Sequence, residues 1–265
     1  MKLSISNLAW EAGDDLRIYG EMARLGFTGL EVAPGRIVPE HPYDHSRVIK
    51  AWADKIRSGY GFEISSLQSI WYGRKENIFA SEEERGFLLD YTKKAIEVAG
   101  LLHCPNVVFG CPLNRTVPET PGDHYGTAIS FFRELGAFAV RSGTVIAIEP
   151  VASCYHTNFL NTVGEAVRFL RDLGAPGVKL NLDAGTMLYN GEASDAIQDA
   201  ADLINHVHFS EPGLLPVRER KLHRELIRTL SESGYDGYYS IEMRKTGAAD
   251  VVSSMEYVRG LFTGE

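Results

Sequence analysis

The feature that most constrains this chain is an alternation repeated eight times: a short apolar run, then a longer amphipathic stretch. Such alternation marks βα units wound around a parallel sheet. The runs predict strands at Leu3–Asn7, Gly29–Val32, Glu63–Gln68, Asn106–Phe109, Val145–Glu149, Val178–Asp183, Ile204–His208 and Tyr238–Glu242. Helices are predicted over Asp15–Leu25, Ser46–Ser58, Ser81–Ala99, His124–Arg141, Val163–Leu173, Ala193–Ala201, Glu219–Ser231 and Ala248–Phe262, several with apolar residues at helical spacing. At about 33 residues per unit, the 265 residues fit one α/β domain, a (β/α)8 TIM barrel over residues 1–265. A doubly wound sheet is the rival, but the loop after the first run reads Leu8-Ala9-Trp10-Glu11-Ala12-Gly13, without a Gly-x-Gly-x-x-Gly phosphate turn. The segments Leu25–Glu31 and Ser233–Tyr238 each leave a helix by a glycine and enter a strand, a likeness that internal repetition and ordinary helix-stop chemistry explain equally.

In a barrel, chemistry belongs at the C-terminal strand ends. The last four runs end alike, on Glu149, Asp183, His208 and Glu242, each about one strand-plus-helix unit from the next. Alternation then turns Ile148, Leu182, Val207 and Ile241 outward in all four. Three carboxylates gathered on one rim repel unless a cation balances them. Three oxygen donors and one imidazole suit one divalent metal ion such as Mn, Zn, Co, Mg or Fe, with positions left for substrate or water.

The motifs Ile148-Glu149-Pro150, Leu160-Asn161-Thr162, Leu182-Asp183-Ala184-Gly185, His206-Val207-His208, Gly234-Tyr235-Asp236-Gly237 and Ser240-Ile241-Glu242, with the Gly26–Glu31 entry, span nearly the whole chain. As a set they resemble the xylose isomerase-like TIM barrel superfamily, in its sugar phosphate isomerase/epimerase branch. That branch holds ketohexose 3-epimerases, hydroxypyruvate isomerases, inosose isomerases and dehydratases, and AP endonuclease relatives. The resemblance implies that Glu149, Asp183, His208 and Glu242 bind the metal and that Glu149 and Glu242 are also the catalytic acid/base pair. It implies proton abstraction next to the carbonyl of a small keto-sugar, through a metal-stabilised enediolate. A dehydratase or lyase, or a noncatalytic sugar-binding barrel, are the alternatives. Relatives often oligomerise, which makes a homo-oligomer an expectation. Two positions depart from the pattern: Thr186 stands where many relatives have a substrate-contacting histidine, and the loop Ser210–Pro216 lacks the arginine of ketohexose epimerases, for which Arg218 is a substitute candidate. Both point away from a standard ketohexose 3-epimerase.

Further substrate-binding candidates are Gln68 and Trp71 after the third strand, His206 one layer beneath His208, and Arg244 on the face of Glu242. Arg244 reads equally as an anion clamp or as an arginine paired at the rim. Lys179 is expected to pair with a barrel carboxylate and Asn181 to lie beneath Asp183. Asn7, Trp10, Glu31 and Arg36 are rim candidates, and His156 falls near a position where some epimerases place a glutamate. Of the three cysteines, Cys104, Cys111 and Cys154, none forms a Cys-x-x-Cys pair and none has a basic partner in sequence, so they read as inert thiols of a reducing compartment. The net charge of −8, without a basic stripe, argues against nucleic-acid binding, which for AP endonuclease chemistry would also need more histidines than these loops carry. No apolar run reaches the ~20 residues of a membrane span, and no signal-peptide pattern opens the chain. The expected location is therefore cytoplasmic, away from membranes.

Overall fold

A computed structural model describes residues 2–263, one residue short of the predicted domain at its start and two at its end. Eight strands close into a barrel in chain order: β1 (Lys2–Ser6), β2 (Gly29–Val32), β3 (Glu63–Leu67), β4 (Val107–Phe109), β5 (Ile146–Ile148), β6 (Val178–Asp183), β7 (Ile204–Phe209) and β8 (Tyr238–Ile241). Every ladder, including that between β8 and β1, is parallel. The outer layer comprises α1 (Asp15–Arg24), α2 (Pro34–Ile37), α3 (Ser46–Tyr60), α4 (Glu82–Leu101), α5 (His124–Arg141), α6 (Val163–Leu173), α7 (Ala184–Asn190), α8 (Lys221–Glu232) and α9 (Ala248–Thr263). Among the described residues, no helix is long and apolar enough to cross a membrane.

Local chemistry sets the helix ends. Thr162 and Glu165 form a reciprocal capping box at the start of α6, and Gly174 ends it in the left-handed conformation. Gly26 and Gly234 both adopt positive φ between a helix and the next strand, the backbone reason for the likeness of those two segments.

One predicted helix is corrected. Residues 193–201 do not form an α-helix; they lie in a stretch holding two short 3-10 turns, Ser194–Ile197 and Ala201–Leu203. The helix after β6 starts directly at Ala184, because the Asp183 side chain caps it by accepting from Thr186 N at 2.6 Å, and Gly191 stops it at φ 68°.

Outward strand residues such as Ile5, Leu30, Ile148, Leu182, Val207 and Ile241 are fully buried against the helices. The interior is polar. Contacts between strands that are not neighbours must pass through it, and these join Ser4 to Ser65, Gln68 to Ser6, and Glu31 to His206 and His208. All of these side chains are at most 2% exposed.

Candidate active site

Glu149 and Glu242 stand one residue beyond the last ladder residues of β5 and β8, while Asp183 and His208 lie in the final register pair of β6 and β7. One donor atom from each of the four comes within 4.8 Å of all the others. His208 Nδ1 is 2.8 Å from Glu149 Oε1 and 3.2 Å from Glu242 Oε2. Asn181, inward on β6, donates from Nδ2 to Glu149 Oε1 at 2.8 Å. Both oxygens of Asp183 are held: Oδ1 by Thr186 N, and Oδ2 by the Ser210 hydroxyl, which in turn accepts from Gly185 N at 2.8 Å.

The electrostatics follow from crowding. Burial, then the adjacent Glu242 carboxylate, push Glu149 up to about 7 and also raise Asp183. Burial works against a charge on His208, yet Glu31, Glu242 and Glu149 outweigh it and hold His208 well above the ordinary histidine range. Beneath, Glu31 is held well below the usual carboxylate range despite its burial, because His208 and His206 face it. Burial lowers His206. A rim with three carboxylates, two of them driven toward protonation, and one imidazole fits a divalent cation: hard oxygen donors predominate, and a positive charge would remove the strain.

Over this cluster lies a cavity of about 170 Å3, lined also by Gln68, Cys111, Tyr155, Thr186, Glu211 and Leu214. Among the described residues, no Lys, Arg or His side chain lines it. Of the substrate-binding candidates, the structure brings Gln68 to the cavity and not the other three. Trp71 is packed in the helix layer, its ring edge-on to Phe109 at 4.8 Å and its Nε1 donating to Thr92 at 2.9 Å. Arg244 points to solvent, and only its backbone N takes part locally, donating to Leu214 O. His206 lies beneath the cluster, Nε2 3.0 Å from Glu31 Oε2.

Several rim expectations need revision. Glu31 enters the barrel below the rim. Arg36 pairs with Asp15 at 2.6 Å and stacks on Trp10, and Asn7 accepts from Ala33 N, so these hold the loops after β1 and β2. Lys179 donates to the backbone carbonyl of Asp202 rather than pairing with a barrel carboxylate. Arg218 is exposed and reaches Glu211 at 3.7 Å, while Arg220 grips that carboxylate more closely. His156 sits outside the cavity wall in a left-handed turn. Burial pushes the Cys111 thiol up to about 12, consistent with an inert group, and Cys154 is exposed. Sequence reasoning passed over Ser210, Tyr155 and Glu211. Ser210, two residues after His208 and so on its face, carried a usable signal; Tyr155, in an irregular loop, did not.

Residues 20–261 match the family described as xylose isomerase-like TIM barrel. The chain is 29% identical to a D-psicose 3-epimerase of Agrobacterium fabrum over 139 residues, 51% of this chain and 48% of that one. It is also 29% identical to a D-psicose 3-epimerase of Enterocloster bolteae over 128 residues, 48% of this chain and 42% of that one. The match thus spans about half the length of these curated relatives. Among solved structures, a D-psicose 3-epimerase determined in the presence of D-fructose has TM-score 0.79 at 22% identity, covering 100% of this chain and 98% of that one. A 3-keto-D-glucoside 4-epimerase from E. coli has TM-score 0.78 at 20% identity, with 99% of each chain covered. These named relatives are sugar epimerases, which are isomerases; at such identities the structural likeness speaks for the fold. Since the family match runs from the first helix into the last and the barrel closes as that family's name requires, the chain belongs to the xylose isomerase-like TIM barrel family.

Proposed function

We propose that this protein is a divalent-metal-dependent sugar isomerase or epimerase that moves a proton at the carbon next to a carbonyl, with Glu149 and Glu242 as the exchanging pair. The observation that carries the reading is the meeting of two carboxylates, from the non-neighbouring strands β5 and β8, at one imidazole nitrogen beneath a cavity. Glu149, Asp183, His208 and Glu242 would hold the ion. When bound, it supplies positive charge that polarises the carbonyl and acidifies the adjacent carbon–hydrogen bond. One glutamate takes the proton and the other returns one to the opposite face, which inverts the centre; each needs a carboxylate oxygen within hydrogen-bond reach of substrate. Asn181 orients Glu149, and Ser210 with Thr186 N orients Asp183.

The substrate is a small uncharged keto-sugar. The cavity wall carries Glu149, Asp183, Glu211 and Glu242 and, among the described residues, no basic side chain, so a phosphate or carboxylate group held away from the ion would find no cationic partner. Thr186 cannot supply a proton as an imidazole would: its hydroxyl donates to Pro150 O at 3.2 Å and tethers the loop after β5. Partial likeness to D-psicose 3-epimerases supports the epimerase reading while that position leaves the sugar open.

The test is a panel of ketoses, keto-glycosides and inososes, incubated with metal-loaded protein in heavy water. Solvent deuterium at the carbon beside the carbonyl, with a new stereoisomer or the isomeric aldose, is the expected result. Loss of a hydroxyl would make the protein a dehydratase, and no exchange with any sugar would favour a binding role.

A further inference from the structure

We propose that Glu31, on β2 at the far side of the barrel, is the positioning residue that fixes the tautomer and ring plane of His208 for metal binding. This rests on the metal-site reading above. Glu31 is fully buried, and its oxygens lie 3.0 and 3.2 Å from His208 Nε2 and 3.0 Å from His206 Nε2. No lysine or arginine pairs with it among the described residues. A buried carboxylate without a cationic side chain costs several kcal/mol unless its lone pairs are met, and here two ring N–H groups meet them. An ionised carboxylate only accepts hydrogen bonds, so both Nε2 atoms carry hydrogen. His208 then has Nδ1 as the nitrogen whose lone pair can face the rim, where Glu149 and Glu242 stand. The carboxylate also braces the ring from below, and the oxygen nearer His206 accepts from that ring's Nε2 at 3.0 Å.

The isostere Glu31→Gln breaks this arrangement. Both Glu31 oxygens lie within 3.2 Å of His208 Nε2, so an amide in either orientation sets an N–H donor against the His208 Nε2–H. We expect Glu31→Gln to bind zinc roughly 10- to 100-fold more weakly in a chelator competition, with the melting temperature in EDTA close to wild type. His206→Gln, which leaves Glu31 to His208, is expected to keep zinc affinity within about threefold. Unchanged affinity in Glu31→Gln would overturn the proposal.

Should Glu31→Gln fail to fold, the wild-type protein decides alone. In zinc-loaded protein labelled with 15N-histidine, His208 should show a protonated Nε2 and a metal-bound Nδ1; the reverse tautomer refutes the assignment. One zinc per chain is expected, and two would make Glu31 and His206 ligands instead. Wild type that takes up no zinc would remove the metal reading and this proposal together. Zinc uptake without deuterium exchange would remove only the epimerase reading.

Discussion

Strands β5 to β8 deliver Glu149, Asp183, His208 and Glu242 to the rim, whereas β1 to β4 end on Ser6, Val32, Leu67 and Phe109. The first half contributes from other directions: Glu31 from beneath, and Gln68, just past β3, from the side. Its longer loops are tied to one another, as where Asn114 donates to the carbonyls of Arg74 and Glu76. One half thus presents donor groups to the cavity and the other holds and walls them. A strand can matter to a site without ending in it.

The sharpest way to break this division is Glu242→Gln. With the fold intact by circular dichroism, turnover should fall roughly a thousandfold, because the amide cannot exchange a proton. Near-normal turnover would move the chemistry out of the second half.

The same half carries a stability liability outside the cavity. His223 on α8 is fully buried, its ring 4.8 Å from Phe209 and its Nδ1 3.0 Å from Tyr257 Oη. Burial lowers it to about 4. The unfolded chain takes up the proton near 6.5 and the folded chain resists until about 4, so stability present above pH 6.5 is lost as pH falls between these values. Up to about 3 kcal/mol is at stake. Urea unfolding at pH 5 and 7.5, in EDTA, should show a smaller pH difference for His223→Phe than for wild type.

The mildest contrast pairs Gln68 with Arg244. Gln68→Ala removes a cavity-wall amide that donates to Ser6 and should lower kcat/KM about tenfold. Arg244→Ala, in the second half but exposed, should stay within about twofold.

Much of this was legible in the sequence, for a definite reason. On β5 to β8 the apolar residues alternate with Glu149, Asp183, His208 and Glu242, and a period of two fixes which side chains share the interior. The strand ends shift by about one residue because Glu149 and Glu242 begin where the ladder stops. Trp71 was misplaced because the loop after β3 has no period: nothing local tells a ring that covers a cavity from one filling the gap beside Phe109 and Phe131. Glu31 was placed at the rim for want of register. It aligns with Ser6 on β1 and, across an irregularity, with Ser66 on β3, and its reach across the barrel to His206 and His208 depends on closure, which no single segment encodes. The helix expected over residues 193–201 fails because a helix begins nine residues earlier, at Ala184, capped by Asp183.

That last residue is doubly determined. As the cap of α7 it must accept a backbone N–H through a short side chain, which Ser, Thr, Asn and Asp can do. In the proposed role of ligand to a divalent cation among other carboxylates, a charged oxygen donor serves best, and the charged choices are Asp and Glu. Only aspartate stands in both sets. Asparagine would keep the helix start and give up the charge, while glutamate would keep the charge and overreach the cap. On the proposed metal role the alphabet at position 183 shrinks to one letter, and a shift of its carboxylate would pull on the first turn of the helix it caps.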